Sequence, residues 1–289
     1  MDIELSAGTI DYEDTGGDGP VVVLLPGLLM DATLWAQVVA DLPSRCIVPT
    51  LPLGAHRRAM RPDADLSPRG IGRLVGELLE RLELDDVTLV GNDTGGVFVQ
   101  LLAAERHPRV GRIVLVSCDA FDNFPPGLTG RTLVLLGRLP PALFGAFMQQ
   151  LRLKPFRRLP ISFGRLTRRG DAVTRGWLTP LLHDRGVRRD ATRVLRGIAA
   201  ERHLLVGLAD ELRTFEGPAL VVWAGEDRVM PPEHGRRLAE LLPDARLVEI
   251  EDSLTLVPLD QPAALAEALR AFVPAQPRER LSNASIARG

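Results

Sequence analysis

Six short apolar runs, each closed off by turn-forming residues, constrain this chain more than any other feature. They are Val21–Gly27 (VVVLLPG), Cys46–Pro52 (CIVPTLP), Asp86–Gly91 (DVTLVG), Arg112–Cys118 (RIVLVSC), Ala219–Gly225 (ALVVWAG) and Arg246–Asp252 (RLVEIED). All are short, rich in Val, Leu and Ile, and apolar on both faces, as the interior strands of a parallel sheet are. Segments of helical period separate them. Leu66–Leu84 begins at Ser67, a fitting N-cap with Pro68 in the first turn. Gly95–Pro108 and two C-terminal segments, PPEHGRRLAELLP and QPAALAEALRAFV, complete the set. Strand alternating with helix predicts an α/β fold with a mostly parallel sheet and right-handed crossovers.

Residues 121–207 break that rhythm. They hold no strand-like run, are rich in Pro, Gly, Arg and Leu, and look helical at PPALFGAFMQQLRL and RRDATRVLRGIAAERHLLVGL. They are expected to form a helical cap over the C-terminal edge of a core made of residues 1–120 and 208–273. Residues 274–289 lack periodicity and are expected to be a flexible tail. The formal net charge of −2 gives no broad basic field for nucleic acid or an anionic membrane. No run approaches the length of a membrane span, and the charged N-terminus MDIELSAGTI is unlike a signal peptide. Cys46 and Cys118 lie in or beside apolar runs, as buried thiols do, without zinc-site spacing. The expectation is a cytoplasmic enzyme with a small-molecule substrate, no cofactor, no metal, and neither nucleic acid nor membrane as partner.

The chemistry centres on Leu89–Phe98, LVGNDTGGVF. A buried strand runs into a glycine-flanked turn with Asp93 at its apex, and a helix follows. Gly91 and Gly95 keep the spacing of a nucleophile elbow, in which a strained apical residue is lifted clear of the sheet. The helix N-terminus beneath it favours an anion. Asp93 is thus presented as an exposed carboxylate able to attack carbon.

From Gly8 to Val273 the chain resembles α/β-hydrolase-fold proteins, in the branch of haloalkane dehalogenases and epoxide hydrolases. That branch carries Asp at this apex, often as DWGG where this chain has DTGG. LLPGLLMDATLW is similar to the loop supplying oxyanion-hole amides, PTLPLGAHR to the family's D-x-P-G-x-G-x-S loop, and WAGEDRVMPP to the strand and loop carrying the acid. The resemblance implies Asp93 as nucleophile, with the Leu28 and Thr94 amides donating and Leu29 and Thr94 lining the substrate site. It implies Asp227 as the acid, with Asp119 as the other option. Aligning Ile250 and Pro262 with the family pattern puts Thr255 where the family has its catalytic histidine. Thr255 can orient a water or a substrate but cannot serve as a general base near neutral pH. Dehalogenases also place an indole donor next to the Asp, where this chain has Thr94.

Of five histidines, His56 sits on a loop at the ligand-gathering edge of the sheet and is the candidate replacement base. His107, His183, His203 and His234 are expected at the surface or in packing roles. Three mechanisms follow. Asp93 attacks an epoxide, ester, lactone or alkyl halide; or Asp93 acts as a general base in a cofactor-independent lyase, cyclase or isomerase; or the fold binds an apolar ligand without turnover. Phe144, Phe147, Met148, Phe156, Phe163 and Trp177 are candidates for an apolar roof.

Overall fold

The computed structural model describes residues 1–275, so all but the first two residues of the expected flexible tail, residues 276–289, lie outside the described residues. Eight strands form one sheet: β1 (Asp2–Leu5), β2 (Gly8–Asp14), β3 (Val21–Leu25), β4 (Arg45–Pro49), β5 (Val87–Asp93), β6 (Val110–Cys118), β7 (Ala219–Ala224) and β8 (Ala245–Ile250). Their order across the sheet is β1-β2-β4-β3-β5-β6-β7-β8. The six apolar runs became β3 to β8, all parallel to one another. β1 and β2 pair antiparallel, and β2 joins β4 antiparallel at the sheet's edge. Their alternation of Asp, Glu and Thr with Ile, Leu and Tyr suits a half-exposed ribbon, so they lack the all-apolar signature of interior strands. β8 departs from that signature too. It is an edge strand, exposed at several positions, whereas β5 and β7 are buried throughout.

Helices α1 (Ala36–Ala40), α2 (Pro68–Arg81) and α3 (Gly95–Ala104) fall between the early strands. Ser67 caps α2 by accepting from the Gly70 amide, with Pro68 as the first helical residue. α3 packs on β5 and β6 and against α2. Between β6 and β7 the chain makes a helical excursion: α4 (Gly127–Leu136), α5 (Pro141–Met148), α6 (Lys154–Arg157), α7 (Asp171–His183), α8 (Arg185–Ala200), α9 (Leu204–Gly207) and α10 (Ala209–Leu212). α11 (Pro232–Leu241), α12 (Val257–Asp260) and α13 (Pro262–Phe272) complete the described chain. Trp35, Phe98 and Trp223 are fully buried and anchor the layers on either side of the sheet.

This strand order sets the location of the site. From β3 the chain crosses to β4 on one side, then returns past β3 to β5 on the other. The loops leaving β3 and β5 therefore diverge, opening a crevice at the carboxyl ends of the two strands. Leu28 follows β3 and Asp93 ends β5, so both stand at that crevice.

Candidate active site

The elbow is held by sterics. Asp93 has φ 55°, a left-handed conformation uncommon for a residue with a side chain. A Cβ on Gly91 would lie 2.5 Å from the Gly95 carbonyl carbon, so strand and helix approach this closely only where no side chain intervenes. A Cβ on Gly27 would lie 2.5 Å from Asp93 Oδ1 itself. Leu29, on the same loop as the Leu28 amide, also has positive φ, at 61°.

One oxygen of Asp93 is fully engaged. Oδ1 accepts from the Thr94 amide at 2.6 Å, the Thr94 hydroxyl at 3.0 Å and the Leu28 amide at 3.4 Å. Oδ2 accepts nothing among the described residues. Asp93 is 6% exposed and lines a cavity of about 130 Å³. Its floor comes from Leu28, Leu29, Met30, Thr94 and Val229. The excursion supplies the roof: Leu133 and Leu136 of α4, Phe147 and Met148 of α5, then Phe156 and Phe163. Of the expected roof residues, Phe144 and Trp177 do not line the cavity; both are buried in packing, and Trp177 Nε1 donates to Thr33 Oγ1 at 2.8 Å. Asp93 is the one ionisable side chain among the lining residues.

Two more carboxyls lie beneath. Asp227 Oδ1 accepts from the Val229 amide (2.8 Å), the Met230 amide (2.9 Å) and the Thr255 hydroxyl (3.0 Å), while Oδ2 is buried without a partner. Asp119 follows β6, and neither of its buried oxygens has a partner among the described residues. Burial pushes Asp93 above its ordinary value, offset in part by its Thr94 and Leu28 donors. Burial, with the charge of Asp93, raises Asp119 well above the usual carboxylate range. Burial raises Asp227 to about 7 against its three donors. Three such groups cannot share a buried pocket fully ionised. Asp119 has the least hydrogen bonding to hold it as an anion, whereas three donors each on Asp93 and Asp227 offset part of the burial of those two.

Thr255 is fully buried and its hydroxyl donates to Asp227 Oδ1. His56 is elsewhere: it does not line the cavity. Its Nδ1 accepts from the Gly54 amide at 3.2 Å, which leaves Nε2 to carry the proton toward Asp190 Oδ2 at 3.5 Å. Burial opposes ionisation of Asp190, yet His56, the Met60 amide and Arg189 together hold its carboxyl below the ordinary range. His56 thus fastens a core loop to α8. His183, at the end of α7, bonds to Arg152, and His203 to Arg202, both exposed. His107 and His234 are half-buried rather than solvated.

Sequence reasoning passed over Asn92. Its Nδ2 donates to the carbonyls of Val116 (2.9 Å), Ser117 (3.3 Å) and Thr255 (2.7 Å), tying the elbow to the loop that holds Thr255. A polar amide inside an otherwise apolar strand was the available signal. Among the described residues no group of three or more His, Cys, Asp or Glu could hold a metal, and no helix is long and apolar enough to cross a membrane.

An elbow carboxylate, two amides on one of its oxygens and a cavity beneath a helical excursion define an α/β-hydrolase site. Residues 20–262 match the alpha/beta hydrolase fold family. Haloalkane dehalogenase 2 of Mycobacterium tuberculosis is 28% identical over 283 residues, covering 91% of each chain. The haloalkane dehalogenase DbeA of Bradyrhizobium elkanii superposes with a TM-score of 0.75 at 18% identity, covering 94% of this chain and 95% of that one. A thermophilic esterase of Thermogutta terrifontis gives 0.69 at 22%, covering 94% and 97%. The two solved structures speak to the fold alone. The chain belongs to the α/β-hydrolase fold family. That membership makes it a hydrolase of small molecules.

Proposed function

We propose that the protein acts on a small apolar electrophile, an epoxide, ester, lactone or alkyl halide, through Asp93 as nucleophile. The observation carrying this reading is the asymmetry of Asp93: Oδ1 is held by three donors while Oδ2 is unengaged on a carboxylate lining an apolar cavity. Oδ2 attacks the electrophilic carbon as the leaving group departs as alkoxide or halide, giving an alkyl ester on Asp93 from an epoxide or alkyl halide and a mixed anhydride from an ester or lactone. In either intermediate Oδ1 becomes the carbonyl oxygen. When water adds to the carboxyl carbon, negative charge develops on Oδ1, where the Leu28 and Thr94 amides already point. Residues 121–207 act as the cap that closes the cavity from water.

The water step lacks an imidazole. Asp227, raised to about 7, is the group suited to accept a proton near neutral pH, with Asp119 as a protonated neighbour. A carboxylate relay is slower than a histidine, so the ester is expected to persist. An alkyl halide is the least favoured substrate, because the Thr94 hydroxyl that replaces the family's indole donor is already committed to Asp93. The raised pKa of Asp93 supports a second reading, a general base in a lyase, cyclase or isomerase reaction.

Turnover in heavy-oxygen water, followed by mass spectrometry of the peptide containing Asp93, separates these readings. Adduct mass or heavy oxygen on Asp93 supports the nucleophile. Turnover with neither assigns Asp93 as a base, and binding without turnover makes the protein a ligand carrier.

A further inference from the structure

Between Asp122 and Asp171 the chain carries nine cationic side chains and no carboxylate. The whole-chain charge of −2 conceals this segregation. The same stretch holds eight of the eleven exposed large apolar side chains among the described residues, including Leu128 and Leu135 (both 60% exposed), Leu143 (57%) and Leu153 (58%). A surface both cationic and apolar is not what solubility alone requires, since scattered exposed apolar residues are common but a concentrated set marks a binding face.

The cations are free to act outward. Arg131, Arg138, Lys154, Arg158, Arg165 and Arg169 are exposed and form no ion pair among the described residues. They interleave with the apolar side chains along the chain: Lys154 lies between Leu153 and Phe156, and Arg158 precedes Leu159. Thr129 Oγ1 donates to the Pro160 carbonyl at 3.1 Å, which joins the start of α4 to the Phe156–Ile161 segment. The face also opens into the cavity. Phe147, Phe156, Leu159 and Ile161 are at once exposed on the surface and part of the cavity lining.

We infer that this face docks on an anionic phospholipid surface, presenting the cavity mouth to apolar molecules dissolved in the lipid. Unpaired cations meet the anionic headgroups, and the neighbouring Leu and Phe side chains enter the headgroup–acyl boundary, the arrangement of proteins that lie on a membrane rather than cross it. Charge complementarity selects this occupant: a neutral apolar partner would leave six unpaired cations desolvated, and a purely polyanionic one would leave the apolar side chains uncovered. The expectation of no membrane partner rested on the average charge and on the lack of a membrane-spanning run. Among the described residues no helix is long and apolar enough to cross a membrane, and only the surface contact is revised.

The test is co-sedimentation of the full chain with vesicles of phosphatidylcholine alone and of phosphatidylcholine and phosphatidylglycerol in equal parts. Partitioning is expected at least ~10-fold higher on the anionic vesicles and should weaken as salt is raised. The combined charge reversal Arg131→Glu, Lys154→Glu, Arg158→Glu should remove that preference, and Leu128→Ser with Leu153→Ser should weaken binding several-fold (roughly) at fixed charge. Circular dichroism confirms folding of each variant. Asp93→Asn should partition as the parent does, so this result stands apart from the catalytic reading. Equal partitioning on both vesicles, or anionic binding untouched by the charge reversal, overturns the proposal. So does sedimentation equilibrium showing self-association through these residues without vesicle binding, which would assign the face to a second copy of the chain.

Discussion

The elbow at Asp93 and the loop at Thr255 are the two halves of one site, and they are unequally equipped. At the elbow every part needed to hold and use a carboxylate is present: positive φ, closely packed glycines, and amide and hydroxyl donors on Oδ1. At the loop Asp227 keeps three donors, but its side-chain partner is the Thr255 hydroxyl, which on the proposed reading stands where a base is needed. On the proposed reading, making and cleaving a covalent intermediate depend on separable pieces of structure. The first needs backbone geometry, which the fold enforces. The second needs one titratable side chain, which a single codon can remove while the packing around it survives.

Five measurements can break or sharpen that contrast. Asp93→Asn removes the attacking oxygen and should reduce adduct formation or turnover by at least ~1,000-fold, read by product assay and intact mass. Activity that persists would move the chemistry away from the elbow. Gly91→Ala puts a methyl against the Gly95 backbone and should destabilise by about 3 kcal/mol, read by chemical denaturation. Thr255→His places an imidazole beside Asp227 and should accelerate loss of the Asp93 adduct by roughly 100-fold, followed by mass spectrometry over time. No change would mean that the loop is not the deficient half.

The pH response is smaller. Asp227 is raised from 3.8 to about 7, so the folded protein keeps a proton there that the unfolded chain has lost between about pH 4 and 7. Stability from this group is present at low pH, declines as pH rises through that window, and stays low above it. Asp93 and Asp119 are raised as well and act with the same sign. Asp227→Asn should therefore show a fall in Tm from pH 5 to 8 that is about 5 °C smaller than the parent's, read by calorimetry. Thr255→Val deletes one donor to Asp227 and should cost about 1 kcal/mol while moving that carboxyl further up.

How much of this was legible in the sequence follows the same division. Interior strands and the elbow were readable because they obey local rules: apolar runs for buried parallel strands, glycines where chains touch, a cap residue at Ser67. The β1–β2 ribbon was not, since an edge strand mixes charged and apolar residues and lacks that signature. The position of Thr255 was readable only through resemblance, and its hydroxyl on Asp227 confirms contact between those two loops. His56 was the harder case. Its place on a loop at the right edge of the sheet was visible, but the direction of its ring depends on Asp190, 134 residues away, and no local pattern carries that information. Asp119 likewise was a candidate acid through resemblance, whereas its two unpartnered oxygens are a property of the packed core alone.

The pinning of Asp93 Oδ1 has a stereochemical corollary. With one oxygen immobilised, the other can meet a carbon from a single direction, and the walls around it are themselves chiral. Mirror-image forms of a substrate bearing a stereocentre would present different faces to that oxygen. A racemic probe should therefore be consumed with one hand disappearing first, and chiral chromatography of the remainder would reveal handedness before the natural substrate is known.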